Sequence, residues 1–216
     1  MDTDRLIDTL ATDLAPVRRL PSPERRVALW LAVALPVTAL VVAAYGLRED
    51  MATMLRDPAF VAQEAAALAT ALAAAWAAFS AGVPGARPWA VWAPAAPFAV
   101  WVATIGRQCV AEWFAFGAEG MEFAVDAECT GAIAVAGAVP ALVMVVMMRR
   151  GANFRPWLTV LWGALAAAAL AYAAHRLFHP RDAALLVLVW QFGAVVVYSA
   201  LAVAARRLLV PAPATA

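Results

Sequence analysis

The chain has 216 residues, of which 65% are hydrophobic and only 14% charged, with a mean hydropathy of +0.78. This composition excludes an ordinary soluble domain, and the two cysteines are too few for a disulfide scaffold. The net charge of +1 says little as a sum, so the placement of the charges carries the information.

The first 26 residues are the one long polar stretch. Asp2, Thr3 and Asp4 suit the start of a helix, where backbone N–H groups lack partners and the dipole favours negative charge. Leu6, Ile7, Leu10 and Leu14 then recur at three- and four-residue spacing, with Asp8, Thr9 and Thr12 on the opposite face. This pattern predicts a short amphipathic helix over residues 2–15. Pro16 stops or bends it, and Arg18, Arg19, Pro21, Pro23, Arg25 and Arg26 read as an extended basic connector. The first apolar run follows two dozen polar residues, which does not fit the h-region of a cleavable signal peptide.

Six apolar stretches follow, each long enough to cross roughly 30 Å of hydrocarbon as a helix. They are expected at about 27–47, 60–83, 89–106, 127–148, 157–178 and 183–205, which divides the chain into an arm (1–26), a transmembrane domain (27–207) and a tail (208–216). Trp30 and Tyr45 are placed at the two interfaces of the first span, and Pro36 is tolerated inside it. Gln63 and Glu64 stand near the start of the second span, where Glu64 is expected to reach water. Pro94 and Pro97 interrupt the third, and Gln191 lies in the sixth. Residues 107–126 form the longest predicted loop. Gly131 and Gly137 in the fourth span and Gly163 in the fifth permit close helix packing. The fold class is therefore all-α, a polytopic membrane protein with six spans and a short amphipathic N-terminal helix.

Six crossings put both termini on one side. Eleven of the 16 basic residues, all arginine, fall on that side and five on the other. Arginine excess marks the cytoplasmic face, so both termini are expected in the cytoplasm. The absence of lysine and the Ala/Arg/Val-rich composition suggest a bacterial inner membrane.

Several constellations could carry chemistry. Cys109 and Cys129 lie near the outward ends of spans three and four, where antiparallel neighbours can bring two sulfurs within bridging reach. Such a pair can switch between dithiol and disulfide, bind a soft metal transiently, form a constant structural bridge, or pack as two small apolar side chains. Glu112, Glu119, Glu122, Asp126 and Glu128 make the surrounding segment acidic, which favours cations nearby and is also what a translocated loop looks like. His175 and His179 share a helical face at metal-compatible spacing, but Pro180 follows and no third ligand lies within the motif, so interfacial snorkelling beside Arg176 is the plainer expectation. No phosphate-cradling glycine loop, metalloprotease motif or activated nucleophile is present, so no enzyme is expected.

The arm, Leu6-Ile7-x-x-Leu10-x-x-Asp13-Leu14-x-Pro16-Val17-Arg18-Arg19-Leu20 followed by six spans, resembles the NrsF-like family of bacterial inner-membrane anti-sigma factors. The resemblance covers the whole chain in layout, with its specific motif in the arm and the cysteine pair. It implies a protein that holds an extracytoplasmic-function (ECF) sigma factor inactive at the membrane and releases it in an envelope stress response. It also implies that Leu6, Leu10, Asp13, Leu14, Pro16, Val17, Arg18 and Arg19 contact the sigma factor and that Cys109 and Cys129 sense the signal. The partners expected are the sigma factor and the bilayer, with no direct nucleic-acid contact and no resident cofactor. The competing readings are a small transporter or channel, to which Pro94, Pro97 and Pro140 lend support, and a structural subunit of a membrane complex.

Overall fold

The computed structural model describes residues 2–12, 20–117, 127–151, 154–180 and 183–210. Its elements run α1 (Thr3–Thr12), α2 (Pro23–Tyr45), α3 (Met51–Met54), α4 (Pro58–Ala81), α5 (Pro88–Trp92), α6 (Ala95–Phe116), α7 (Ala127–Arg149) and α8 (Pro156–Arg176). Then come α9 (Ala184–Leu186), a π-helical stretch Val187–Phe192, α10 (Gly193–Ala204) and α11 (Arg206–Leu209). Among the described residues there is no strand, and six rods are long and apolar enough to cross a membrane.

Proline starts four of these elements, at Pro23, Pro58, Pro88 and Pro156. The first helical position needs no N–H and welcomes proline's fixed φ, so these residues punctuate the chain rather than break it. Ser22 Oγ accepts from Arg25 N at 3.4 Å and Asp57 Oδ1 from Ala59 N at 2.9 Å, capping α2 and α4. The first long helix thus begins at Pro23, ahead of the expected span, and Arg25 and Arg26 belong to the helix and not to an extended connector. Arg26 is buried, stacked 4.3 Å over the Phe79 ring and donating to the Met147 carbonyl at 2.7 Å.

The third crossing differs more. Pro94 has no N–H, and the rod breaks between Trp92 and Ala95 before continuing to Phe116. Ten residues expected in a loop are therefore helical, and Cys109 and Glu112 stand on α6. Residues 118–126, with Glu119, Glu122 and Asp126, lie outside the described residues.

α8 is the axis of the bundle. It packs against α4, α7 and α10, and nearly all of its residues are buried. Eight of its 21 residues are alanine, all between Ala164 and Ala174, so neighbouring backbones approach closely there. A Cβ on Gly137 would meet Ala171 Cβ at 3.2 Å, and one on Gly163 would meet Met148 Sδ at 2.8 Å. Gly131 meets nothing within 4 Å and plays no such role. Trp30, expected at an interface, is fully buried and its indole N–H donates to the Pro140 carbonyl at 2.9 Å, joining α2 to α7. Large apolar side chains on the outer rods, such as Leu35, Leu40, Leu142 and Leu201, stay exposed and form the lipid-facing surface.

Candidate functional site

Two regions stand apart from the packed bundle: the arm at the face of the termini, and the opposite end, here the distal face, which carries residues 46–57 and 177–180.

In α1, Asp2 caps the helix, its carboxylate accepting from Asp4 N at 3.3 Å and its carbonyl from Leu6 N at 3.2 Å. Thr9 and Thr12 hydroxyls fold back onto the Arg5 and Asp8 carbonyls, each at 2.7 Å. None of its residues is buried: Leu6, Ile7 and Leu10 are 42%, 57% and 61% exposed. A helix of this length is marginal in water by itself, so its apolar face is suited to ordering against a partner. Asp13, Leu14, Pro16, Val17, Arg18 and Arg19 lie outside the described residues.

The distal face concentrates polar groups inside an apolar bundle. The buried Gln63 amide donates to Gln108 Oε1 at 2.6 Å, Gln108 donates to Glu112 Oε1 at 2.8 Å, and Glu112 Oε2 accepts from Ala184 N at 2.8 Å. This chain ties α4, α6 and α9 together. Arg176 is buried and pairs with Glu64 at 3.7 Å, with its guanidinium 4.9 Å from the Phe60 ring. Glu64 therefore has a cation and does not merely reach water, and Arg176 and His175 are interior groups rather than snorkelling ones.

Arg48 organises the turn after α8. Its backbone N–H donates to the Leu177 carbonyl at 3.0 Å and its side chain to the His179 carbonyl at 3.3 Å. Asp50 holds the guanidinium from the other side through bonds of 2.6 and 2.8 Å. Those same bonds keep the Asp50 carboxyl below its ordinary pKa. Tyr45 stacks on Phe178 at 4.5 Å, and the His175 and His179 rings lie 4.5 Å apart.

Both cysteines are thiols here. Cys109 is half-buried on α6, while Cys129 is buried on the first turn of α7 among Ile133, Ala136, Ala171 and Ala194. The structure brings Cys129 to the two histidines: Sγ and one nitrogen of each ring all lie within 4.8 Å of one another. The i, i+4 histidine spacing was visible in the sequence; the third member comes from another helix, and no local motif could have supplied it.

A family model described as "NrsF: Negative regulator of sigma F" matches residues 10–210. No curated protein and no solved structure matches the chain.

Proposed function

The chain belongs to the NrsF family of negative regulators of sigma F, and from that membership we propose that it holds an ECF sigma factor inactive through α1 and the segment after it. A sigma factor is the partner that the family description names, and a multi-pass membrane protein is what six apolar rods describe. The observation that carries the role of the arm is the open leucine face of α1, with Leu6 and Leu10 as anchors. Asp2, Asp4 and Asp8 on the same short helix oppose docking on an anionic leaflet, which favours a protein groove over lipid. In this reading Asp13, Leu14, Pro16, Val17, Arg18 and Arg19 extend the contact. The arginine distribution supports cytoplasmic termini in a bacterial inner membrane. The distal face then looks outward, and its thiols, Cys109 and Cys129, receive a metal or redox signal from the envelope.

Deleting residues 2–12 tests the arm. The variant is expected to insert as well as the full chain, to retain no purified ECF sigma factor in membrane co-sedimentation, and to leave sigma-dependent transcription constitutively on. Undiminished repression by the truncated chain would contradict the reading.

A further inference from the structure

Cys129, His175 and His179 form a cluster whose chemistry goes beyond a thiol pair. We propose that Cys129 Sγ and one imidazole nitrogen from each of His175 and His179 make a three-ligand site for a zinc-class divalent cation. One thiolate and two imidazoles are the donor set that borderline-soft d-block ions take, whereas calcium and magnesium require oxygen. Zinc bonds of roughly 2.0–2.3 Å in tetrahedral array put ligand atoms about 3.3–3.8 Å apart, so the observed separations need close by only about 1 Å. That shift is within side-chain rotation.

The surroundings suit an exchangeable ion. His175 is fully buried and Cys129 nearly so, while His179 is half-buried and borders a cavity of about 440 Å³ lined also by Tyr45, Glu128, Gly131, Ala132 and Phe178. The Glu128 carboxylate, exposed beside Cys129, draws cations to that opening. The cavity is open beside Gly131, where nothing lies within 4 Å of the position a Cβ would take. Three protein ligands leave a fourth position open to water. The two nearby guanidinium groups do not oppose the ion with bare charge, because Arg48 is paired with Asp50 and Arg176 with Glu64.

The ligands sit at fixed places in the fold. Arg48 holds the His179 carbonyl and so sets the turn that carries that imidazole. Binding would displace the Cys129 Sγ proton to water, leaving a thiolate on the metal, with both histidines neutral and donating a lone pair. It would also join the first turn of α7 to the last turn of α8. As the input of a sigma-factor regulator the site rests on the reading above; as a cation site it is tested without any sigma factor.

The test is a Co(II) titration of purified full-length chain in detergent, stripped with chelator, followed by Zn(II) competition. The expected result is one Co(II) per chain with a thiolate-to-metal charge-transfer band that Zn(II) abolishes. Cys129→Ser removes the band and His179→Ala weakens binding by roughly 10-fold or more. Circular dichroism and elution volume equal to wild type show that each variant is folded. A wild-type chain without the band, or a band that survives Cys129→Ser, would overturn the site. None of these outcomes bears on whether the arm binds a sigma factor.

Discussion

Leu6, Ile7 and Leu10 of α1 lie in water, whereas Gln63, Arg48, His175 and Arg176 at the distal face lie in an apolar interior. Each region places its side chains in the less favourable medium, and each resolves the cost differently. Three of the distal groups are paired within the chain: Arg48 with Asp50 and the His179 carbonyl, Arg176 with Glu64, and Gln63 with Gln108. Leu6 and Leu10 of the arm stay exposed, and in the proposed function a sigma factor covers them. An interior that satisfies its own polar groups is a stability device, and an apolar face left open is a recognition device. Changes at the distal face should therefore appear in melting, and changes in the arm should appear only in binding.

The largest expected effect is Arg176→Ala. It leaves the Glu64 carboxylate, only 13% exposed, without the guanidinium at 3.7 Å. Loss of one member of a buried pair costs about 3–5 kcal/mol, read as a large fall in Tm in detergent with sigma-factor affinity of the surviving folded fraction intact. A loss of affinity without a loss of Tm would reverse the assignment of roles.

Gly163→Leu comes next. Its new side chain must displace Met148 Sδ and Met144 Cγ at the α7–α8 contact, an overpacking cost of about 1–3 kcal/mol. Thermal unfolding of the purified chain measures it. Leu10→Ala is expected to cost about 2 kcal/mol of sigma-factor binding, roughly 30-fold in Kd, by titration calorimetry. It should leave Tm unchanged, since Leu10 is 61% exposed.

The smallest effect concerns pH. Bonds from Arg48 depress the pKa of Asp50 in the folded state, so the associated stability is complete above the ordinary carboxylate pKa. It is lost only as pH falls through the lower folded value. Wild type and Asp50→Asn should therefore differ slightly in Tm at neutral pH and converge under acid conditions, with no change in sigma-factor affinity at pH 7.

Six crossings were legible because a lipid-spanning run is a length and composition signal that needs no tertiary information. The arm was legible for a similar reason: three- and four-residue leucine spacing is local. The central position of α8 was not, because a helix apolar all round shows no preferred face until its neighbours are known. Trp30 and Arg26 illustrate the same limit. A tryptophan or arginine near a span end reads as an interface anchor, yet Trp30 meets the Pro140 carbonyl and Arg26 the Met147 carbonyl, partners far along the chain. The extension of α6 to Phe116 was hidden because Arg107, Gln108 and Glu112 look like loop residues, although Gln108 and Glu112 are joined within the bundle. At the candidate metal site two of the three ligands, His175 and His179, were local in sequence, and Cys129 was supplied only by the fold.

The contrast between the two regions is tested most directly by amide hydrogen exchange on the full-length chain in nanodiscs, with and without a purified ECF sigma factor. The account predicts fast exchange across residues 3–12 alone, strong protection of those amides on binding, and no change in the α4, α7 and α8 amides. Protection of the arm before any sigma factor is added, or an arm that stays unprotected in the bound complex, would contradict it.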